Sequence, residues 1–194
     1  MALNANALIS LEYAKKMIAF EDSQSETFTE YINVATSLVE SYTGRVLIAA
    51  DYTEYYDGMG TDRILLNQYP INTVTSVHID PDRVYGDDTE VESTDYVLYS
   101  PTGKIVFPDL EIDENPQSVK VVYNAGYSLA DMPSDIKLAM IETVKYIAGR
   151  VGAGNSRIGV KSVNTPDGLN TSYELTLPVF ARSILDSYTK KGVA

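Results

Sequence analysis

The stretch Glu26–Arg45, ETFTEYINVATSLVESYTGR, decides the architecture. Phe28, Tyr31, Ile32, Ala35, Leu38, Val39 and Tyr42 recur at the i, i+3, i+4, i+7 spacing of a single helix face. Gly44 supplies the stop, because glycine accepts the left-handed backbone that ends a helix. Beyond Arg45 the apolar period falls to two. A helix over 26–43 is therefore followed by strands, and its apolar stripe needs helical partners from elsewhere in the chain.

Those partners are readable on both sides. Upstream, Ser10 is an N-cap for a helix near 10–20 with Leu11, Ala14, Met17 and Ile18 on one face. Glu21 to Ser25 is a polar break with capping residues. Downstream, Pro133 and Ser134-Asp135 open a helix over 134–149 with the stripe Ile136, Met140, Val144, Ile147, flanked by Leu138 and Ile141. Gly154 to Tyr173 reads as a flexible loop or loose hairpin. Pro178 opens a last helix, 178–188, with Val179, Ile184 and Leu185 apolar.

Between these lie strand candidates at Thr53–Tyr56, Arg63–Leu66, Val74–Ile79, Tyr96–Tyr99, Lys104–Phe107 and Val119–Tyr123. Asp57-Gly58 signals a turn. Pro70, Pro81, Pro101, Pro108 and Pro116 punctuate the run, since proline is poorly tolerated inside a central strand. The expected fold is α+β. It is a small helical bundle built from both chain ends (1–45 and 133–194, with a flexible loop at 154–173) and an inserted antiparallel β-subdomain at 46–132.

Composition narrows the chemistry. The 194 residues carry 27 acids against 15 Lys and Arg, a net charge of −12, with 44% hydrophobic residues. That is a globular composition. There is no Cys, no Trp and one His. A thiol nucleophile, a disulfide frame, a Cys/His zinc site and a multi-His metal site are all excluded. Apolar runs fall far short of the ~20 residues of a membrane span. Glu12, Lys15 and Lys16 interrupt the segment Met1–Phe20, so a soluble cytosol-made protein without a signal peptide is expected. The acidity is local: residues 46–133 hold sixteen acids and four bases, whereas 134–194 carry an excess of bases.

No enzyme motif stands out, and no catalytic, cofactor or metal residue is assigned. His78 sits in an alternating strand without a partner signature. Gly152 to Ser156 lacks the Gly-Lys-Ser/Thr and the preceding strand of a phosphate loop. Asp57 and Asp62, or Asp80, Asp82, Asp87 and Asp88, lack the closing Glu of a calcium loop and read as solvated acids. The fifteen tyrosines fit strand packing and an interaction surface equally well.

Four segments in order resemble the head–tail connector (adaptor) proteins of long-tailed bacteriophages. They are Tyr31–Ala35 through Glu40-Ser41-Tyr42-Thr43-Gly44-Arg45; Leu65–Ile71 with Val74–Val77; Val121–Tyr127 with Met132–Ala139; and Leu177-Pro178-Val179 into a short helix ending Ser187-Tyr188. The acidic stretch Asp80–Asp95 is longer than in short members. The resemblance implies a non-enzymatic subunit of a ring of about twelve copies beneath the portal protein. It also implies a tail or stopper protein on the other side, and a location at the virion head–tail junction after assembly in the bacterial host cytoplasm.

The residues are compatible with that. Phosphate binding needs Lys and Arg, so an acidic chain without a basic stripe suits DNA that passes without specific binding. Candidate channel or loop residues are Asp80, Asp82, Asp87, Asp88, Glu90 and Glu92. Arg182, Lys190 and Lys191 make the end of the chain locally basic and are the candidate docking residues for a neighbouring virion protein. No membrane partner and no cofactor is expected. Two alternatives stay open: another virion interaction module (a tail-completion or capsid-surface protein), and a divalent-ion-binding protein using the acidic loops.

Overall fold

The computed structural model describes residues 2–151, 162–164, 170–172 and 177–190. They form two compact units, one from Met1–Gly44 with Asp131–Lys190, the other from Arg45–Ala130. The fold class is α+β, as the change of period requires.

The first unit holds helices α1 (Leu11–Ile18), α2 (Ser25–Thr43), α3 (Ser134–Val151) and α4 (Val179–Leu185). Ser10 caps α1, its hydroxyl accepting the Tyr13 amide at 3.1 Å. Glu21 and Gln24 form a capping box ahead of α2, and Gly44 closes it at φ 67°. Ile32, Ala35 and Val39 are fully buried, and α3 packs on α2 and α4 with Ile136, Met140 and Val144 inward.

Four sequence readings need correction here. Tyr42 is exposed and its hydroxyl donates to Asp186, while Thr43 is buried in its place. Met17 and Leu138 are likewise exposed. In α4 the buried residues are Ala181 and Leu185, and Val179 points outward with Phe180 beside it. Buried positions not legible in the sequence are Ala7, Leu8 and Ile9, which precede α1. The segment that carries them is tied to a polar line on α2: the Asn4 amide donates to Asn33 Oδ1 at 2.9 Å and Asn6 Nδ2 to Glu40 Oε2 at 2.7 Å. Within 154–173, β7 (Ser162–Asn164) and β8 (Asn170–Ser172) form an antiparallel pair. The remainder of that segment, and the Gly152–Ser156 glycines, lie outside the described residues.

The second unit has β1 (Ala50–Gly58), β2 (Arg63–Leu65), β3 (Ile71–Ile79), β4 (Val97–Tyr99), β5 (Lys104–Val106) and β6 (Asn115–Ala125). They build two antiparallel sheets, ordered β1-β6-β3 and β2-β5-β4. Ile64 and Ile105 from one sheet share a core with Val77, Val121 and Tyr123 from the other, so the sheets face each other as a small sandwich. Asp57-Gly58 is not the expected turn. β1 runs through it and pairs with β6, not β2, and a Cβ at Gly58 would lie 1.9 Å from the Asp113 carbonyl oxygen. Glycine serves a close approach of two backbones there. Pro116 also sits inside the central strand β6, at the irregular end of its register with β1, where a missing N–H breaks no regular ladder.

Inside the sandwich Glu54 Oε2 accepts from Tyr123 at 2.7 Å and also from Tyr56. Burial and the Glu54 carboxylate push both phenols far above their ordinary range. Where the chain enters and leaves this unit it clasps itself. The Tyr127 amide donates to Leu47 and its carbonyl accepts the Ala49 amide, at 2.8 and 2.9 Å.

Candidate functional site

The loop after β3 is built around one buried carboxylate. Asp80 is 4% exposed, which corrects the reading of it as a solvated acid. Its Oδ1 accepts the Asp82 amide at 2.8 Å, and its Oδ2 accepts those of Val84 and Tyr85 at 2.7 Å each. These amide donors, Tyr85 foremost and against the opposing effect of burial, hold the Asp80 carboxyl below the usual carboxylate range. The bonds support a strained turn, with Arg83 at φ 62° and Tyr85 at φ 54°. Tyr85 folds back on the outer face of β1-β6-β3, its ring 5.4 Å from that of Tyr55 and its hydroxyl on the Gln117 carbonyl at 2.5 Å. The result is a fixed tip with Val84 79% exposed, between exposed Asp82, Arg83, Asp87 and Asp88.

Glu90 and Glu92 are exposed farther along, where Glu90 bridges to His78. His78 is buried under this return, and its Nδ1 meets no hydrogen-bond partner among the described residues. Among the described residues no three His, Asp or Glu side chains converge as a metal ion requires. No described helix is long and apolar enough to cross a membrane.

Asp80→Asn is expected to loosen this tip selectively. An amide offers one acceptor where the carboxylate offers two, so the Val84 and Tyr85 amides should lose protection in hydrogen exchange while the β1–β6 ladder keeps it. In the parent, the folded pKa lies below the unfolded ~3.9. The stabilisation is therefore complete above that value and is lost as pH falls through the folded pKa. The amide shifts of Val84 and Tyr85 should hold through pH 4, where ordinary carboxylates titrate, and collapse only in stronger acid. Tip amides that shift together with the exposed acids would contradict this.

The opposite side of the sandwich differs. In β2-β5-β4 the inward row Ile64, Ile105, Leu98 alternates with outward rows Arg63–Val106–Val97 and Leu65–Lys104–Tyr99. Leu65, Val97 and Tyr99 are exposed. Lys104 Nζ stands 4.1 Å over the Tyr99 ring, and Arg63 pairs with Asp62 at 2.7 Å. An open groove lined by Thr61, Arg63, Pro108 and Leu110 borders β2. Sequence reasoning misses this mixed apolar and cationic face, because Leu65, Val97 and Tyr99 read simply as strand residues.

The basic residues near the end of the chain are not equivalent. Arg182 is half-buried, its Nε donating to the Leu177 carbonyl at 2.8 Å at the start of α4. Lys190 is exposed, and its backbone amide satisfies the Thr43 carbonyl at the end of α2 at 2.8 Å. Lys191 lies outside the described residues.

No curated protein matches the chain. Three solved structures share its fold over 100% of its length at 16% identity. One is the neck of an empty gene transfer agent (GTA) particle computed with C6 symmetry, with a TM-score of 0.61 and 98% of that chain covered. Another is the virion of a native GTA particle, at 0.61 and 95%, and a third is the neck of a native GTA particle computed with C12 symmetry, at 0.59 and 96%. The family model described as HCP, head completion protein, matches residues 7–191. Since that match covers nearly the whole chain, including every described helix and strand, the chain belongs to the head completion protein family.

Proposed function

We propose that the protein is a non-enzymatic ring subunit at the head–tail junction of a phage-like particle, seated between a portal protein and a tail or stopper protein. The observation that carries this is a head-completion match spanning residues 7–191, and the full-length likeness to neck subunits of symmetric particles supports it. A lone chain is too small to surround a duplex, so copies close into a ring through head-to-tail contacts, and about twelve of them is what the resemblance to connector proteins implies. The genome passes through a channel whose exposed acids, Glu90 and Glu92 among them, repel its phosphates. Asp80 acts only by shaping the loop.

Docking on the neighbouring virion protein uses the segment beyond α4, where Lys190 is exposed and Lys191 follows it in sequence. Truncation before Leu185 is a poor test, because it removes a fully buried residue. The paired change Lys190→Glu, Lys191→Glu tests docking directly. It should weaken binding to portal-bearing heads at low salt, and the difference should shrink as salt screens exposed charges over ~8 Å or less. Electron microscopy of heads made without the protein should show filled heads lacking tails, with added protein restoring a ring. Tailed particles without it, or tight duplex DNA binding at physiological salt, would overturn the reading.

A further inference from the structure

We propose that successive copies join through the outer face of β2-β5-β4 on one subunit and the Asp80-fixed tip of the next. This interface rests on the ring reading above and specifies its contact. The two surfaces lie on opposite sides of a single sandwich: the tip folds over the outer face of β1-β6-β3, while Arg63, Leu65, Lys104, Val97 and Tyr99 point away from the shared core on the other side. They cannot meet within one chain. Two unlike, mutually fitting faces on opposite sides are what a head-to-tail, heterologous contact requires.

Charge and surface type fit as well. The tip presents an apolar Val84 among Asp82, Asp87 and Asp88. The sheet face presents Leu65, Val97 and Tyr99 with the cations Arg63 and Lys104, in a unit where acids far outnumber bases. The other cations of that unit are engaged elsewhere: Arg45 is buried against Tyr69, Lys120 lies over Tyr85, and Arg83 reaches the Pro116 carbonyl from the tip itself. Asp62 offsets part of the Arg63 charge, which makes Lys104 the main electrostatic anchor. Asp80 fixes the tip before contact, so little ordering entropy is lost on association. Val84 then covers Leu65 and Tyr99 while its flanking acids meet Lys104 and Arg63.

The chain has no cysteine, so an introduced pair reports cleanly. A chain carrying both Val84→Cys and Leu65→Cys, oxidised under ring-forming conditions on portal-bearing heads, should give a ladder of cross-linked oligomers. Either single variant should give none beyond a dimer. A complementary test uses charge reversal. Arg63→Glu with Lys104→Glu in one chain, or Asp87→Lys with Asp88→Lys in another, should each weaken self-association roughly 100-fold. Mixed together, the two should form rings again, because every junction then pairs opposite charges. Circular dichroism confirms folding of each variant, as none of the four positions is buried. Rings unaffected by either reversal, with no ladder, would overturn this interface and leave the ring reading standing. A parent chain that binds heads only as single copies would overturn both.

Discussion

Ile32→Asp is expected to abolish the folded helical unit. Ile32 is fully buried in the middle of α2, on the apolar stripe with Ala35 and Val39. An unpaired buried charge, or the neutral acid that replaces it, costs ~4 kcal/mol or more. That is a large share of a domain stability of ~5–15 kcal/mol. Thermal melting followed by circular dichroism at 222 nm should show loss of the cooperative helical transition, or insoluble protein. Met17→Asp is the control, since Met17 is exposed on α1, and its effect should stay within about 0.5 kcal/mol. Equal melting of Ile32→Asp and the parent would mean that α2 does not bury this face.

Gly126→Ala should be nearly as damaging, for a reason in the backbone. Gly126 holds φ 112°, and a Cβ would lie 2.6 Å from the Ile48 carbonyl oxygen and 2.8 Å from the Ala49 nitrogen. Both atoms are main chain and cannot rotate aside. Its amide also donates to Pro70 at 2.9 Å, so the residue cannot swing out without losing that bond. Strain and overpacking together cost ~3 kcal/mol. At Gly149, within α3, an added Cβ would meet nothing within 4 Å among the described residues. Gly149→Ala should therefore be neutral or stabilising by about 0.5–1 kcal/mol. Urea unfolding of both variants decides the matter, and similar midpoints for the two would refute the distinction.

What the sequence discloses divides along physical lines. The stripes of α2 and α3 are legible because a helix buries residues three and four apart whatever lies beyond it. The strands β3 and β6 are legible through alternation. Ala7–Ile9 are not, because their burial comes from Asn33 and Glu40 on α2 holding an irregular segment, and irregular segments have no period. Gly58 reads as a turn because glycine is ambiguous between a turn and a close backbone approach, and only the distant Asp113 decides between them. The acidic loop shows the same limit for the site. Composition discloses its charge, yet nothing local marks Asp80 as the one carboxylate turned inward, since its partners are backbone amides of a kind that nearly every residue carries. The cationic face of β2-β5-β4 is hidden because each strand is too short to show a period and β2 lies far in sequence from the β4–β5 pair.

The clasp of Leu47 and Ala49 on Tyr127 bears on the order in which the chain folds. α2 and α3 must find each other across the stretch Arg45–Ala130, and closing a loop of that length is entropically unfavourable. Once the clasp has formed, the two ends of the stretch are already adjacent, and the effective loop between α2 and α3 drops from ~90 residues to ~10, easing closure by about 2 kcal/mol. Folding is thereby biased toward a sequence of events in which the inserted sheets form first and helix pairing follows. Such an order concentrates slow, non-local strand pairing in the earliest step. Destabilising the clasp should consequently slow formation of the helical unit, although no residue of that unit has been changed.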